Sequence, residues 1–165
     1  MTDFHSVYER YSRDVYRFAL YMCGSRTLAE DITSETFVRL WTARGEIRAS
    51  TLKAYLFAIA RNLYVTELRR QSRQVPLEPS VADTRIDVER DAATKSELSR
   101  VLHALRQLPE PDRAALLMRA DRQPYEEIAR TLRLSLTAVK VRVHRSRIKL
   151  LEMCQKKETS HEDHT

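Results

Sequence analysis

Basic side chains crowd the segment "TAVKVRVHRSRIK", residues 137–149, which contains no acidic residue. Lysine and arginine neutralise phosphate, and arginine also binds guanine through two hydrogen bonds in the major groove. Val139, Val141 and Val143 alternate with the cations, and such alternation alone is typical of a half-buried β-strand. The segment is therefore either a basic strand or part of a basic helix, and the surrounding sequence must decide.

The surrounding residues favour a helix. Ile128 and Leu132 lie at helical spacing before a short turn at 133–135, and an apolar stripe follows the turn: Val139, Val143, Ser146 and Leu150. No second alternating segment exists, and an unpaired strand cannot satisfy its backbone hydrogen bonds. The pattern predicts a helix-turn-helix, whose second helix enters the major groove of DNA. The predicted contacts come from the other side of that helix: Thr137, Lys140, Val141, Arg142, His144, Arg145 and Arg147.

Val141 lies outside the apolar stripe, in line with Thr137 and Ile148. An exposed valine among cations is suited to contact the 5-methyl group of thymine. A valine at this position can equally pack on a neighbouring helix, in which case it has no part in reading DNA. The sequence leaves both interpretations open.

The overall composition indicates an all-α protein. The 165 residues include only two glycines, whereas sandwiches, barrels and nucleotide-binding α/β folds need many turn residues or glycine loops. The net charge of +6 favours phosphate-rich partners or anionic membranes without specifying either. Cys23 and Cys154 lack metal-binding spacing, as is typical of a reducing compartment. No apolar run approaches a membrane span, so we expect a cytoplasmic protein.

Helical periodicity predicts two small helical domains joined by a flexible linker. The first domain covers residues 1–72. Residues 73–95 contain two prolines, few large apolar residues and a cluster of acids, which is typical of a linker. The helix-turn-helix domain covers residues 96–155, and the polar tail at 156–165 is predicted to be disordered.

Three helices are predicted in the first domain. Gly24 ends the first helix as a left-handed cap. Ser25 or Thr27 begins the second helix, and Thr27 with Glu30 fits a capping box. The apolar face of the second helix is Leu28, Ile32, Phe37 and Leu40 with Trp41. The third helix is predicted to be buried through Leu52, Leu56, Ile59 and Leu63.

Asp31 and Glu35 lie one turn apart on the polar side of the second helix. Paired carboxylates can serve a metal or acid–base site, but no third ligand, histidine partner or glycine loop accompanies them. We therefore expect no enzymatic activity, no metal and no cofactor. A helical nucleic-acid-processing enzyme is a distant alternative.

In their order and spacing, these segments resemble the bacterial RNA polymerase sigma factors of the extracytoplasmic-function (ECF) group. The first domain contributes "AEDITSETFVRLW" and "LKAYLFAIARNLYVTELRR". The second contributes "LRQLPEPDRAALLMRADRQPYEEIARTL" followed by "AVKVRVHRSR". The resemblance covers residues 4–72 and 96–153.

This resemblance implies three contact surfaces. The second helix is expected to grip core RNA polymerase through Asp31, Glu35, Val38, Leu40 and Trp41. The third helix and the loop before it are expected to hold the melted −10 strand, since stacking, amide and cationic groups suit unstacked bases: Arg48, Tyr55, Arg61, Asn62 and Arg69. The second domain is expected to anchor the −35 duplex.

The resemblance also implies partners. They are core RNA polymerase, promoter DNA and an anti-sigma factor, which is expected to be membrane-bound, while the free sigma factor is expected to be a monomer. In this family the linker threads toward the RNA exit path of the polymerase, although a plain spacer fits the acidic composition equally well. The alternative function is a helix-turn-helix repressor or activator with an N-terminal dimerisation or sensing domain.

Arg133 departs from the family pattern, because many relatives carry glycine in this turn. If the position is left-handed, an arginine there costs about 1 kcal/mol. Thr137 and Val141 also replace the residues that are more usual in the family. The −35 DNA sequence that other members recognise is therefore not assumed for this protein.

Overall fold

The computed structural model describes residues 3–43, 52–74 and 92–162, with the side chains of 92–96 and 156–162 left out of the description. These ranges contain seven α-helices and no β-strand. The helices are α1 (Phe4–Cys23), α2 (Arg26–Thr42), α3 (Leu52–Arg73), α4 (Ala92–Gln107), α5 (Glu110–Ala120), α6 (Tyr125–Leu132) and α7 (Leu136–Glu162).

Two compact units, Met1–Asp87 and Val88–Thr165, divide the chain. The prediction of an all-α protein with two small helical domains is therefore confirmed. Most of the predicted linker, residues 75–91, lies outside the described residues. Of the helices described, none is long and apolar enough to span a membrane.

The last helix is longer than the sequence predicts. Disorder is predicted from residue 156, whereas α7 continues to Glu162. No glycine or proline interrupts residues 136–162, and the lysines, glutamine and glutamates of the last turns are good helix formers. The helical backbone therefore continues beyond the predicted domain end at residue 155.

The first unit is built from α1, α2 and α3, and each of these helices packs against the other two. Phe18 of α1 stacks on Phe57 of α3, with 4.7 Å between the ring centroids. An ion pair of 3.2 Å between Lys53 Nζ and Asp14 Oδ2 joins the same two helices. Other buried members of this core are Val7, Val15, Met22, Ile32, Phe37 and Leu56. This packing determines which faces of α2 and α3 remain exposed.

The start of α2 differs from the predicted capping box. α1 ends as predicted at Gly24, which has left-handed backbone with φ 71°. Ser25 then caps α2, and its Oγ accepts a hydrogen bond of 3.2 Å from the Leu28 N–H. Of the two predicted starts, Ser25 is therefore confirmed, and the capping box of Thr27 with Glu30 is wrong, because the helix begins before Thr27.

The buried face of α3 departs from the predicted one in its second half. Leu52 and Leu56 are buried as predicted, but Ala60 and Tyr64 continue their stripe, whereas Ile59 and Leu63 are only half-buried. The steps of four residues from Leu56 to Tyr64 follow the helical repeat. Alanine and tyrosine are weaker hydrophobic signals than isoleucine and leucine, which explains the shift of the prediction.

The second unit is centred on α7, which packs against α4, α5 and α6. Val139 and Val143 are buried together with Ser146, so the predicted inward stripe is confirmed as far as Ser146, whereas Leu150 is half-buried. Their partners in the core include Leu102, Leu105, Ala115, Met118 and Ile128. The alternating valines of residues 139–143 therefore belong to a helix, and the strand interpretation is wrong.

The turn of the helix-turn-helix closes through a left-handed arginine. Arg133 has φ 56° and ψ 45°, as expected from the glycine that many relatives carry in this turn. Its N–H donates to the Arg130 carbonyl at 3.4 Å, and the Leu134 N–H donates to the Ala129 carbonyl at 3.0 Å. This pair of bonds is the Schellman arrangement, in which glycine is the usual left-handed residue. Arg122, after α5, also has positive φ (66°).

Replacing Arg133 by glycine should therefore stabilise the second unit. Glycine removes the Cβ strain of the left-handed conformation, which outweighs its greater freedom in the unfolded chain, for a gain of about 1 kcal/mol. Urea unfolding followed by circular dichroism should show a higher midpoint with an unchanged slope. Arg130→Gly, inside α6, is the matched control and should lower the midpoint. A midpoint for Arg133→Gly at or below that of the parent chain contradicts the strain assigned to this turn.

Candidate nucleic-acid interface

The first half of α7 presents a cationic surface to solvent. Ser135 caps the helix, and its Oγ accepts a hydrogen bond of 3.1 Å from the Ala138 N–H. Val139 and Val143, on the opposite side of this helix, are buried in the core. Six of the seven predicted contact residues are exposed: Thr137, Lys140, Val141, His144, Arg145 and Arg147. We refer to these six residues as the recognition face.

Arg142 is the exception among the predicted DNA contacts. Its Nη1 lies 2.6 Å from Oδ1 of Asp112 on α5. The two side chains are only 34% and 20% exposed, so solvent screens this charge-assisted hydrogen bond less than it screens a surface pair. This pair joins α7 to α5 and directs part of the Arg142 guanidinium away from the recognition face, and the predicted role of Arg142 in binding DNA stays a prediction.

Lys140 is also oriented by a neighbouring helix. Two cationic side chains lie near the ring of Tyr125, at the start of α6. Arg119 Cζ is 4.3 Å and Lys140 Nζ is 5.6 Å from the ring centroid. Cation–π contacts of this kind contribute about 0.5–1 kcal/mol at exposed sites. The sequence gives no local signal for Tyr125 or Asp112, because both partners are distant from α7 along the chain.

Val141 lies at the surface of the second unit. Its side chain is 44% exposed, which favours a surface position over burial against a neighbouring helix. Ile148 and Leu151 continue an exposed apolar line further along α7, at 44% and 56% exposure. Val141 is therefore an apolar member of the recognition face.

The exposed stripe of α3 carries an aromatic ring, an amide and a cation. Tyr55 is 38% exposed, and Asn62, Thr66 and Arg69 are exposed along the same side. The Thr66 hydroxyl donates to the Asn62 backbone carbonyl at 2.8 Å. Within the described residues the side-chain amide of Asn62 has no hydrogen-bond partner, which leaves its donor and acceptor available to a ligand.

The remaining cations near α3 have different surroundings. Arg61 is half-buried on the flank of the stripe, and Arg48 lies outside the described residues. Arg70 donates from Nε and Nη2 to the Glu67 carboxylate at 3.0 and 2.6 Å, and these bonds lower the pKa of Glu67. Because Arg70 is engaged in this pair, Arg69 is the more accessible cation at this end of α3.

The outer side of α2 combines carboxylates with exposed apolar groups. Asp31, Glu35 and Val38 lie on one stripe and are exposed, and Trp41 beside them is 68% exposed. Leu40 is half-buried and lies on the opposite side of the helix. The structure therefore separates Leu40 from the other four residues of the predicted polymerase surface.

A groove of about 480 Å³ adjoins Val38 and Trp41 between α1 and α2. Trp41 meets the ring of Phe4 edge to face at 4.8 Å between centroids. Tyr8 meets Phe37 in the same manner at 4.9 Å. The exposure of Phe4 and Tyr8 depends on how α2 crosses them, which the sequence of α1 alone does not determine.

Comparison with known proteins identifies both regions. The family model for Sigma-70 region 2 matches residues 7–74, and that for Sigma-70 region 4 matches residues 98–150. The ECF sigma factor EcfG of Rhodopseudomonas palustris is 32% identical over 81% of this chain and 75% of its own length. The chain belongs to the ECF RNA polymerase sigma factors. The resemblance drawn from the sequence is thus confirmed, and the sigma factor is favoured over the alternative of a repressor or activator.

Other relatives of this ECF sigma factor support the same family assignment. SigM of Bacillus subtilis is 31% identical over 68% of this chain and 70% of its own length. SigE of Mycolicibacterium smegmatis is 28% identical over 94% of this chain, and the match spans 63% of SigE. The sigma factor RpoE from Bartonella quintana, solved in complex with the anti-sigma factor NepR, shares the fold with a TM-score of 0.74 at 23% identity, over 94% of this chain and 98% of its own.

The pair of Asp112 and Arg142 should stabilise the second unit. Asp112→Asn and Arg142→Gln should each destabilise it, and a double-mutant cycle should give a coupling energy of about 1 kcal/mol, because each group loses its charged partner. Thermal unfolding of the two single variants and the double variant measures this coupling. Arg145→Gln, an exposed substitution on the same helix, should leave unfolding unchanged. Additive effects of the two single substitutions would mean that the pair contributes nothing.

Proposed function

We propose that this ECF sigma factor binds core RNA polymerase through α2 and directs transcription from promoters whose −35 duplex meets α7 and whose melted −10 strand meets α3. The supporting observation is that one chain exposes three surfaces of different chemistry: the recognition face, the stripe on α3, and the acidic and apolar side of α2. The protein acts in the cytoplasm without a cofactor, and the reaction itself belongs to the polymerase.

The recognition face suits a DNA duplex. Lys140, Arg145 and Arg147 supply charge to the phosphates, and counterion release makes such binding fall with salt. Arg145 and His144 can also donate hydrogen bonds to base edges. Arg142 is the weaker contributor to this set, because Asp112 binds part of its guanidinium.

The exposed stripe of α3 suits single-stranded bases. Tyr55 offers a ring for stacking, and the side-chain amide of Asn62 offers both a donor and an acceptor to a base edge. Arg69 supplies charge for a nearby phosphate. A duplex hides base faces within its stack, so an aromatic ring beside an amide favours the melted strand.

The outer side of α2 suits a basic helical partner. Exposed Trp41 and Val38 form an apolar patch of the kind that marks protein interfaces, and tryptophan is frequent among the residues that dominate binding energy. Asp31 and Glu35 border this patch and attract cationic side chains. The carboxylates therefore guide the approach, while the apolar groups supply the affinity.

We also propose control by an anti-sigma factor, membrane-bound in the cell, that holds the sigma factor as a one-to-one complex. Support comes from the Bartonella quintana sigma factor, which has the same fold and was solved with an anti-sigma factor bound. A partner that covers the outer side of α2 or the recognition face removes a surface that transcription requires. Release of the anti-sigma factor then returns a monomeric sigma factor to the polymerase.

Run-off transcription with purified core RNA polymerase tests the function. On a promoter from its own operon or from a genomic library, the sigma factor should give specific transcripts above those of core enzyme alone. Sedimentation should show a monomer that binds isolated duplex poorly. A dimer that holds palindromic DNA tightly without polymerase, and gives no transcript with it, would instead support a repressor.

Substitutions on α2 and α3 should separate polymerase binding from promoter opening. Trp41→Ala should weaken core binding by about 2 kcal/mol, roughly thirtyfold, because an exposed interface tryptophan is lost. Asn62→Ala should leave core binding intact and slow opening of the −10 region, measured by 2-aminopurine fluorescence in the non-template strand. The two variants serve as controls for each other. Equal loss of both activities in Asn62→Ala would indicate a structural role for Asn62.

A further inference from the structure

We infer that Val141 is a specificity-determining residue that contacts the 5-methyl group of a thymine in the −35 duplex. The inference rests on the proposed function, because it takes α7 as the helix that lies in the major groove. It adds a base preference to a surface that otherwise supplies only charge and hydrogen bonds.

Val141 points away from the core of the second unit. It follows the fully buried Val139 by two positions, a rotation of about 200° around the helix axis. Its neighbours one turn away are exposed members of the recognition face on both sides: Thr137, His144 and Arg145. A DNA duplex attracted by the lysine and arginine side chains of the recognition face meets Val141 near the middle of the contact.

The residues on either side of Val141 in the sequence are held by other helices. Arg142 is bound by Asp112 on α5 at 2.6 Å. Lys140 has its ammonium over the ring of Tyr125 on α6, 5.6 Å from the centroid. Both long side chains next to Val141 thus have partners elsewhere in the domain. The valine is left 44% exposed between them, so neither of these two side chains covers it.

The major groove offers one apolar feature that a valine can recognise. Valine has no hydrogen-bonding group, and the 5-methyl group of thymine is the apolar feature that a base pair presents there. A cytosine amino group or a purine N7 placed against Val141 loses water without gaining a hydrogen bond, which costs free energy. The residue therefore favours thymine both by contact and by exclusion of the polar edges.

Deoxyuridine isolates this contact, because it differs from thymine only by the methyl group. The sigma factor bound to core polymerase is used to select a −35 element from duplexes randomised at that position. Each thymine of the selected element is then replaced by deoxyuridine, and affinity is measured by competition. At one thymine the replacement should weaken binding by the parent protein about fourfold, the value of one buried methyl-sized group. The same replacement should have no effect on binding by the Val141→Ser protein.

Ile148→Ser is the matched control, since Ile148 is exposed to the same extent on the same side of α7. It should keep the full deoxyuridine effect. The inference is overturned if the selected element contains no thymine, or if deoxyuridine weakens the parent and Val141→Ser proteins equally. A holoenzyme that selects no −35 element at all is a different result, because it refutes the proposed function itself. Run-off transcription by the parent protein tests the sigma factor assignment separately, so failure of the base preference leaves that assignment intact.

Discussion

The burial of Val139 and Val143 against α5 and α6 sets the rotation of α7 about its own axis. Both valines are almost fully inaccessible to solvent, and a rotation by one residue, about 100°, would bury Lys140 and His144 in their place. Moving a lysine ammonium into this core is prohibitive unless it is paired. The burial of these two valines therefore keeps the cations of α7 on the solvent-exposed side of the helix. The recognition face exists because the core cannot accommodate those cations.

The cations of the second unit divide into those that hold the fold and those that remain for a ligand. Arg113 is 4% exposed, and its Nη1 donates to the Leu105 carbonyl at 3.3 Å. Arg142 joins α7 to α5 through Asp112. Both contribute to the net charge of the chain but add little to its surface field. The phosphate-binding capacity of the domain is therefore smaller than its count of basic residues implies, and the salt dependence of DNA binding should reflect only the exposed ones.

Features with local causes were predictable from the sequence, and those with distant causes were not. Gly24 and the apolar stripe of α7 were predictable because a cap and a helical repeat depend on near neighbours along the chain. The left-handed Arg133 required knowledge of which residue usually fills that turn. The role of Arg142 was not predictable, because its partner lies thirty residues away in another helix, and every arginine on a basic helix looks alike until the packing is known.

α2 departs from the simple hydrophobic pattern, because two of its polar side chains are buried and one large apolar side chain is exposed. Thr33 and Thr36 are buried, and their hydroxyls donate to the Ala29 and Ile32 carbonyls at 2.6 Å. These bonds satisfy the hydroxyls within the helix, so the threonines can enter the core at low cost. Trp41 meanwhile remains 68% exposed, although hydrophobic pattern alone assigns it to the core. An exposed tryptophan next to an apolar groove gains little free energy in the isolated protein and is available to a partner. Departures from the binary pattern concentrate at functional sites because folding alone does not select them. In this chain the departures at Trp41 and at Val141 are alike, because each leaves a large apolar side chain exposed to water.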